Sequence, residues 1–254
     1  MGENPTEEEA LFGFEAAMAI DNNGEVDFDS LLIFSQSFKT TRAYCVLLML
    51  FEANNDLFLD VMSQFTADDT KEKIYFDYGP IYTSQGNLDT TSEARTSPPN
   101  SNGVIKITFN NASNSANTNT LTIASTLLHE GIHAELFRIV AGENNVPEPL
   151  SQYHYNIIVD LLEWYENNGP SNFVDGNSQH NFMIYNYVTP IAEAVRELDN
   201  NLYPLDNYMA FGWSGLYEMG KLTVPQAVTQ SQQSQYAQLA LIPKTDSHEH
   251  ECEN

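Results

Sequence analysis

Apolar positions spaced three and four apart run through Leu31 to Phe38, Val46 to Phe51 and Leu57 to Met62, which predicts two or three packed helices between Phe28 and Phe65. Leu11 to Ile20 carries the same period and breaks at Asp21-Asn-Asn-Gly24. Set on a calcium loop with Gly24 sixth, that stretch would place Ala19 first and Ser30 twelfth, so it reads as a plain turn. The period then shortens to two. Lys73 to Tyr78 is a short strand ending at Gly79-Pro80, and Val104 to Phe109 alternates most cleanly of all. Residues 83–103 are rich in Ser, Thr, Asn, Pro and Gly and predict a long surface loop, while Asn110 to Asn119 leads into a helix N-cap.

The remainder is helical in pattern. Thr120 to about Ala141 is apolar at Leu121, Leu127, Leu128, Ile132 and Leu136, and Gly142 supplies the stop. Leu150 to Asn167 forms a second helix, and a third runs from near Ser178 to Leu198, with Pro190 kinking it or opening a new one. Two more helices are expected at 204–219 and 225–241, each with a proline near its first turn. The fold class is therefore α+β and predominantly helical. Its expected divisions are an N-terminal helical segment at 1–65 that packs on or extends the core, a main domain at 66–243, and a flexible acidic tail at 244–254.

Charge narrows the partners. Ten Lys and Arg stand against 35 Asp and Glu in 254 residues, a formal charge of −25, and the cations are scattered singly, so nucleic acid is excluded as a partner. The longest apolar run, Ala43 to Phe51, is far short of the roughly 20 residues that span a bilayer, so no membrane span is expected. Residues 1–9 have neither a basic nor an apolar signal region, so an export signal is absent from this sequence or already removed, and the compartment stays open between secreted, periplasmic and other soluble settings. Cys45 lies in the apolar run and Cys252 in the extreme tail, which does not suggest a disulfide framework. The tail's Ser247-His-Glu-His-Glu-Cys252 lies past the last apolar helix and is read as disordered rather than as a metal site. Oligomeric state is not legible.

One motif carries chemistry. His129-Glu-Gly-Ile-His133 is an HExxH sequence inside the predicted 120–141 helix. Residues four apart share a helix face, so His129 and His133 can offer two imidazoles to one Zn²⁺, with Glu130 close enough to act on water there. Two imidazoles and a carboxylate within one turn are costly in a core unless something coordinates them. The metzincin continuation would need Gly and His where Leu136 and Ile139 stand, so that branch is excluded. A third ligand is open among His154, His180 and the carboxylates Glu163, Glu193 and Glu197; geometry leans toward His180.

Ile123-Ala-Ser-Thr-Leu-Leu-His-Glu-Gly-Ile-His-Ala134, Ser178-Gln-His-Asn-Phe-Met183 and Tyr187-Val-Thr-Pro-Ile-Ala192 together resemble a group of uncharacterised bacterial zinc metallopeptidases, zincins distantly similar to the SprT-like proteins. Tyr208 to Leu216 is similar to their aromatic and glycine-containing C-terminal helix, and the likeness covers about 74–220. The resemblance implies a zincin-like core, with the HExxH helix beside a small sheet. It also implies His129, His133 and His180 as metal ligands and Glu130 as catalytic base. An extended peptide substrate would pair with a strand beside that helix, for which Val104 to Phe109 is the candidate. The expected activity is hydrolysis of peptide bonds, with Tyr185 or Tyr187 as candidate donors to the oxyanion. The competing reading is a non-catalytic, zinc-containing interaction protein, for which a fourth protein ligand would argue.

Overall fold

A computed structural model describes residues 32–65, 73–113, 119–141, 176–217, 228–246 and Cys252. The architecture is α+β, with one four-stranded mixed sheet and the helices gathered about its apolar face. The strands are β1 (Leu32–Phe34), β2 (Lys73–Gly79), β3 (Ala94–Ser97) and β4 (Val104–Asn110), in the order β1-β2-β4-β3. β2 runs parallel to both β1 and β4, with Ile74 opposite Leu32 and Ile105, whereas β3 is antiparallel to β4 and forms an edge. Alternation along the two central strands decides the faces. Ile74, Phe76, Ile105 and Ile107 are fully buried toward the helices. On the opposite face Lys106 pairs with Asp77 at 2.6 Å and lies over the Tyr75 ring.

Between β1 and β2 the described residues form three helices, α1 (Gln36–Lys39), α2 (Arg42–Glu52) and α3 (Asp56–Ser63). Each begins on a side chain that accepts an orphan N–H: Ser35 from Phe38, Thr41 from Tyr44, Asn55 from Phe58. Asn55 also donates to the Ala194 carbonyl at 2.9 Å, pinning α3 to a later helix. The helix expected from Leu31 instead begins as β1. A short apolar run is ambiguous by period alone, and here backbone pairing with β2 decides it.

After β4 come α4 (Thr120–Ala141), α5 (Gly176–Asn186) and α6 (Val188–Leu198), then α7 (Met209–Gly212), α8 (Gln230–Leu239) and α9 (Leu241–Asp246). The helix expected over 178–198 is two helices that part at Tyr187, with Pro190 in the first turn of α6. Of the helix expected over 204–219, the described part holds a 3-10 turn at Leu205–Asn207 and the short α7, while 218–219 lie outside the described residues. Gly212 is pressed against α6, where a Cβ would lie 2.0 Å from the Val188 carbonyl oxygen, and Gly215, at φ +76, lies in the turn that follows α7. The expected boundary before residue 244 falls inside α9. Cys252 is buried and joined by a disulfide to Cys45 of α2, so the two cysteines pair across 207 residues where no framework was expected. The turn at 21–24, the helix at 150–167 with His154 and Glu163, and the tail histidines lie outside the described residues. Among the described residues no helix is long and apolar enough to cross a membrane.

The stretch expected as one surface loop contains β3, whose Ala94-Arg-Thr-Ser97 shows no apolar alternation and is held by backbone pairing to β4. Asp89 braces its entry. The carboxylate accepts the hydroxyls and N–H groups of Thr91 and Ser92 and the guanidinium of Arg95, while Asn110 donates to the Asp89 and Ser92 carbonyls. These bonds, the Ser92 hydroxyl first, hold the Asp89 carboxyl well below the usual carboxylate range. Its contribution is present above the ordinary aspartate pKa of about 3.9 and is lost as pH falls. Asp89→Asn is therefore expected to cost about 1–3 kcal/mol near neutral pH. The difference in thermal midpoint from wild type should close below pH 4, which a pH series of melts checks.

Candidate metal centre

The long helix α4 starts on Asn119, whose side-chain oxygen accepts the Thr122 N–H at 2.9 Å. It is buried on most of its circumference, with β3 and β4 on one side and α2, α3 and α6 on others. Gly131, inside the HExxH sequence, makes this possible on the face toward α3. A Cβ there would stand 3.1 Å from Met62 Cε and 3.3 Å from Val61 Cγ1, so glycine lets α3 close against the motif.

His129 and His133 project from one face of α4, and His180 reaches them from α5. The His133 Nε2 atom is 3.1 Å from the Nε2 atoms of both His129 and His180, and the three donor atoms lie within 4.8 Å of one another. Bonds of about 2.0–2.1 Å to a tetrahedral zinc place ligand nitrogens roughly 3.3 Å apart, a value that the two 3.1 Å separations approach. Burial drives all three imidazoles toward the neutral form: His133 and His180 fall to about 4, and His129 falls well below its ordinary value, aided by its two neighbours. Neutral imidazoles are the form that ligates. Three such nitrogens facing one point satisfy each other poorly, and a divalent cation satisfies them all, so the residues present fit zinc.

His133 has an outer partner as well. Its Nδ1 meets the side-chain oxygen of the buried Gln179 at 2.5 Å. Glu130 points toward β3, where the Thr96 hydroxyl lies 2.6 Å from its Oε2 and 3.0 Å from its backbone oxygen. Burial pushes the Glu130 carboxyl up to about 7, against the opposing hydrogen bonds of Thr96 and the charge of Arg95. Gly215 lies against the ring of His129, and a Cβ would stand 3.1 Å from Cε1. With φ at +76, Gly215→Ala should cost about 1–2 kcal/mol in backbone strain. The added methyl should also tilt the His129 ring and weaken zinc binding several-fold, which competition with a chromogenic chelator measures.

Around this centre lies a cleft of about 700 Å³, bounded by α4, α5, the β3 strand and the Ser214-Gly215 turn, with Phe137 and Pro98 in its wall. The strand beside the helix on this side is β3. β4 is paired on both sides, so the expectation that Val104 to Phe109 would meet a substrate is corrected: its hydrogen-bonding groups are used by β2 and β3. The Asn110 N–H bonds the Glu93 carbonyl at 2.9 Å, which fixes the alternation along this antiparallel pair. It turns the backbone groups of Ala94 and Thr96 away from β4, toward the open edge.

Glu193 and Glu197 are exposed on α6, and the metal-competent cluster among the described residues consists of the three histidines. Neither tyrosine suggested as an oxyanion donor lines the cleft. Tyr187 is fully buried in the core, and Tyr185 borders a separate cavity of about 190 Å³. Sequence reasoning overlooked Thr96, Gln179, Gly131 and Gly215. Gln179 left a trace, since it directly precedes His180, but its partner is 46 residues away. Comparisons of the chain with known protein families, with curated proteins and with solved structures find no match.

Proposed function

We propose that the chain is a zinc-dependent metallopeptidase of zincin type. The convergence of His129, His133 and His180 on one point, with Glu130 in the next position along the helix, carries this reading. His129, His133 and His180 would hold the ion, and three protein ligands are the number with which a catalytic zinc keeps a position for water. When bound, zinc would acidify water and polarise a substrate carbonyl.

The chain's own groups supply the rest. Glu130 accepts the proton of the attacking water and passes it to the leaving amine. The Thr96 hydroxyl fixes the carboxylate orientation. Because Thr96 belongs to β3, the strand that would pair with an extended peptide also holds the base. The open edge at Ala94 and Thr96 offers backbone pairing, which reads peptide hydrogen bonds rather than side chains. The Cys45–Cys252 disulfide favours an oxidising compartment as the place of work.

Purified protein should contain one zinc per chain and cut a mixed peptide library, with the cuts abolished by a chelator and restored by zinc. A zinc-loaded chain that leaves every peptide intact overturns the hydrolase reading and favours the non-catalytic binding protein.

A further inference from the structure

His133 is the middle imidazole of the centre, 3.1 Å from each of its two neighbours, so the state of its Nε2 decides whether the site can form. A neutral imidazole carries one proton, on either nitrogen. If Nε2 bore it, the proton would point into the centre and block the ion. The opposite nitrogen faces the Gln179 side-chain oxygen at 2.5 Å, and that oxygen can only accept. Gln179 is 1% exposed and directly precedes His180 on α5, so one turn of helix delivers both a ligand and the partner of another ligand. No hydrogen bond to the outer nitrogen of His129 or His180 is present among the described residues.

We propose that Gln179 is a positioning residue: its amide oxygen fixes His133 as the Nδ1–H tautomer and so preforms the zinc site before any ion arrives. The inference rests on the proposed zinc reading. The partner is an uncharged amide, so it orients the ring without adding negative charge beside the ion. A carboxylate at the same place would accept the same proton and make the ring a stronger donor.

Long-range proton–nitrogen correlation spectra of the metal-free, nitrogen-15-labelled chain near pH 8 report the tautomer directly, and chelator competition reports zinc affinity. Wild type is expected to show His133 protonated on Nδ1. Gln179→Met, which keeps the volume and removes the acceptor, should lose that signature and bind zinc 10–100-fold more weakly, with the metal-free thermal midpoint lowered modestly because a buried donor loses its partner. Gln179→Glu should keep the Nδ1–H tautomer and bind zinc at least as tightly as wild type. A residue that merely fills space predicts the reverse order, with Met tolerated and Glu disruptive. His133 protonated on Nε2 in wild type, or wild-type zinc affinity in Gln179→Met, overturns the proposal. Should Gln179→Met not fold, the wild-type spectrum and Gln179→Glu decide. A wild-type chain with the Nδ1–H tautomer that binds no zinc would sink the zinc reading and leave the tautomer assignment standing, so the two failures are told apart.

Discussion

Replacing Glu130 by Gln is expected to lower kcat by roughly 100- to 10,000-fold while zinc content stays at the wild-type level, because the amide keeps the shape of the carboxyl and cannot take a proton. The loss should appear in kcat rather than KM, since Glu130 lies under the cleft and the peptide backbone would be bound by β3. The same variant makes a second measurement possible. The Glu130 carboxyl is 8% exposed as a residue, and burial raises its folded pKa to about 7, above the ordinary glutamate value near 4.3. A group raised in this way contributes stability that is complete below its unfolded pKa and is lost as pH rises through the folded value. Relative to metal-free Glu130→Gln, metal-free wild type should therefore lose stability between about pH 4.3 and 7, a difference in which the histidines common to both proteins cancel. Thermal melts at pH 5 and pH 8 would show the variant gaining over wild type only at the higher pH. Undiminished cleavage by Glu130→Gln would remove the residue from the mechanism.

His180→Ala is expected to lower zinc affinity by at least about two orders of magnitude, more than the loss of an outer partner causes. Of the three ligands it is the one delivered from outside the HExxH helix, so it tests the tertiary arrangement and not the motif. Zinc per chain after dialysis should fall to background, with the metal-free circular dichroism spectrum unchanged. His154→Ala serves as the contrast and should retain its zinc. A His180→Ala protein that kept zinc while His154→Ala lost it would reassign the third ligand. Cleavage should follow zinc content in both.

The parts of the fold legible in the sequence are those where local pattern and tertiary role coincide. Thr120–Ala141 was read to its ends because an apolar period, an Asn cap and a following glycine all act locally. β2 and β4 were legible for a similar reason, since Ile74, Phe76, Ile105 and Ile107 alternate with polar neighbours on a sheet covered on one side. β3 was not, because its side chains fill no core layer and its place is set by hydrogen bonds to β4. The consequence is functional: the alternation that stands out in the sequence belongs to β4, a central strand, while the open edge belongs to β3. Cys45 and Cys252 are distant in sequence and sit in unlike surroundings, so only the folded chain brings them together.

For the site, spacing brought out the two histidines and the glutamate of α4, and the resemblance picked His180 from several alternatives that geometry had left open. The structure brings these four side chains together. Thr96 and Gln179 act through hydrogen bonds that span 34 and 46 positions, a distance over which no periodicity carries information. The tyrosines illustrate the opposite error. Nearness in sequence to His180 made Tyr185 and Tyr187 attractive, yet helix geometry sends one outward and the other into the core.

Zinc K-edge X-ray absorption on the zinc-loaded chain tests the three-imidazole centre most directly. The account predicts four nitrogen or oxygen neighbours at about 2.0–2.1 Å, with outer scattering from three imidazole rings and none from sulfur. Two rings or fewer, a sulfur ligand, or four protein donors closing the sphere would contradict it.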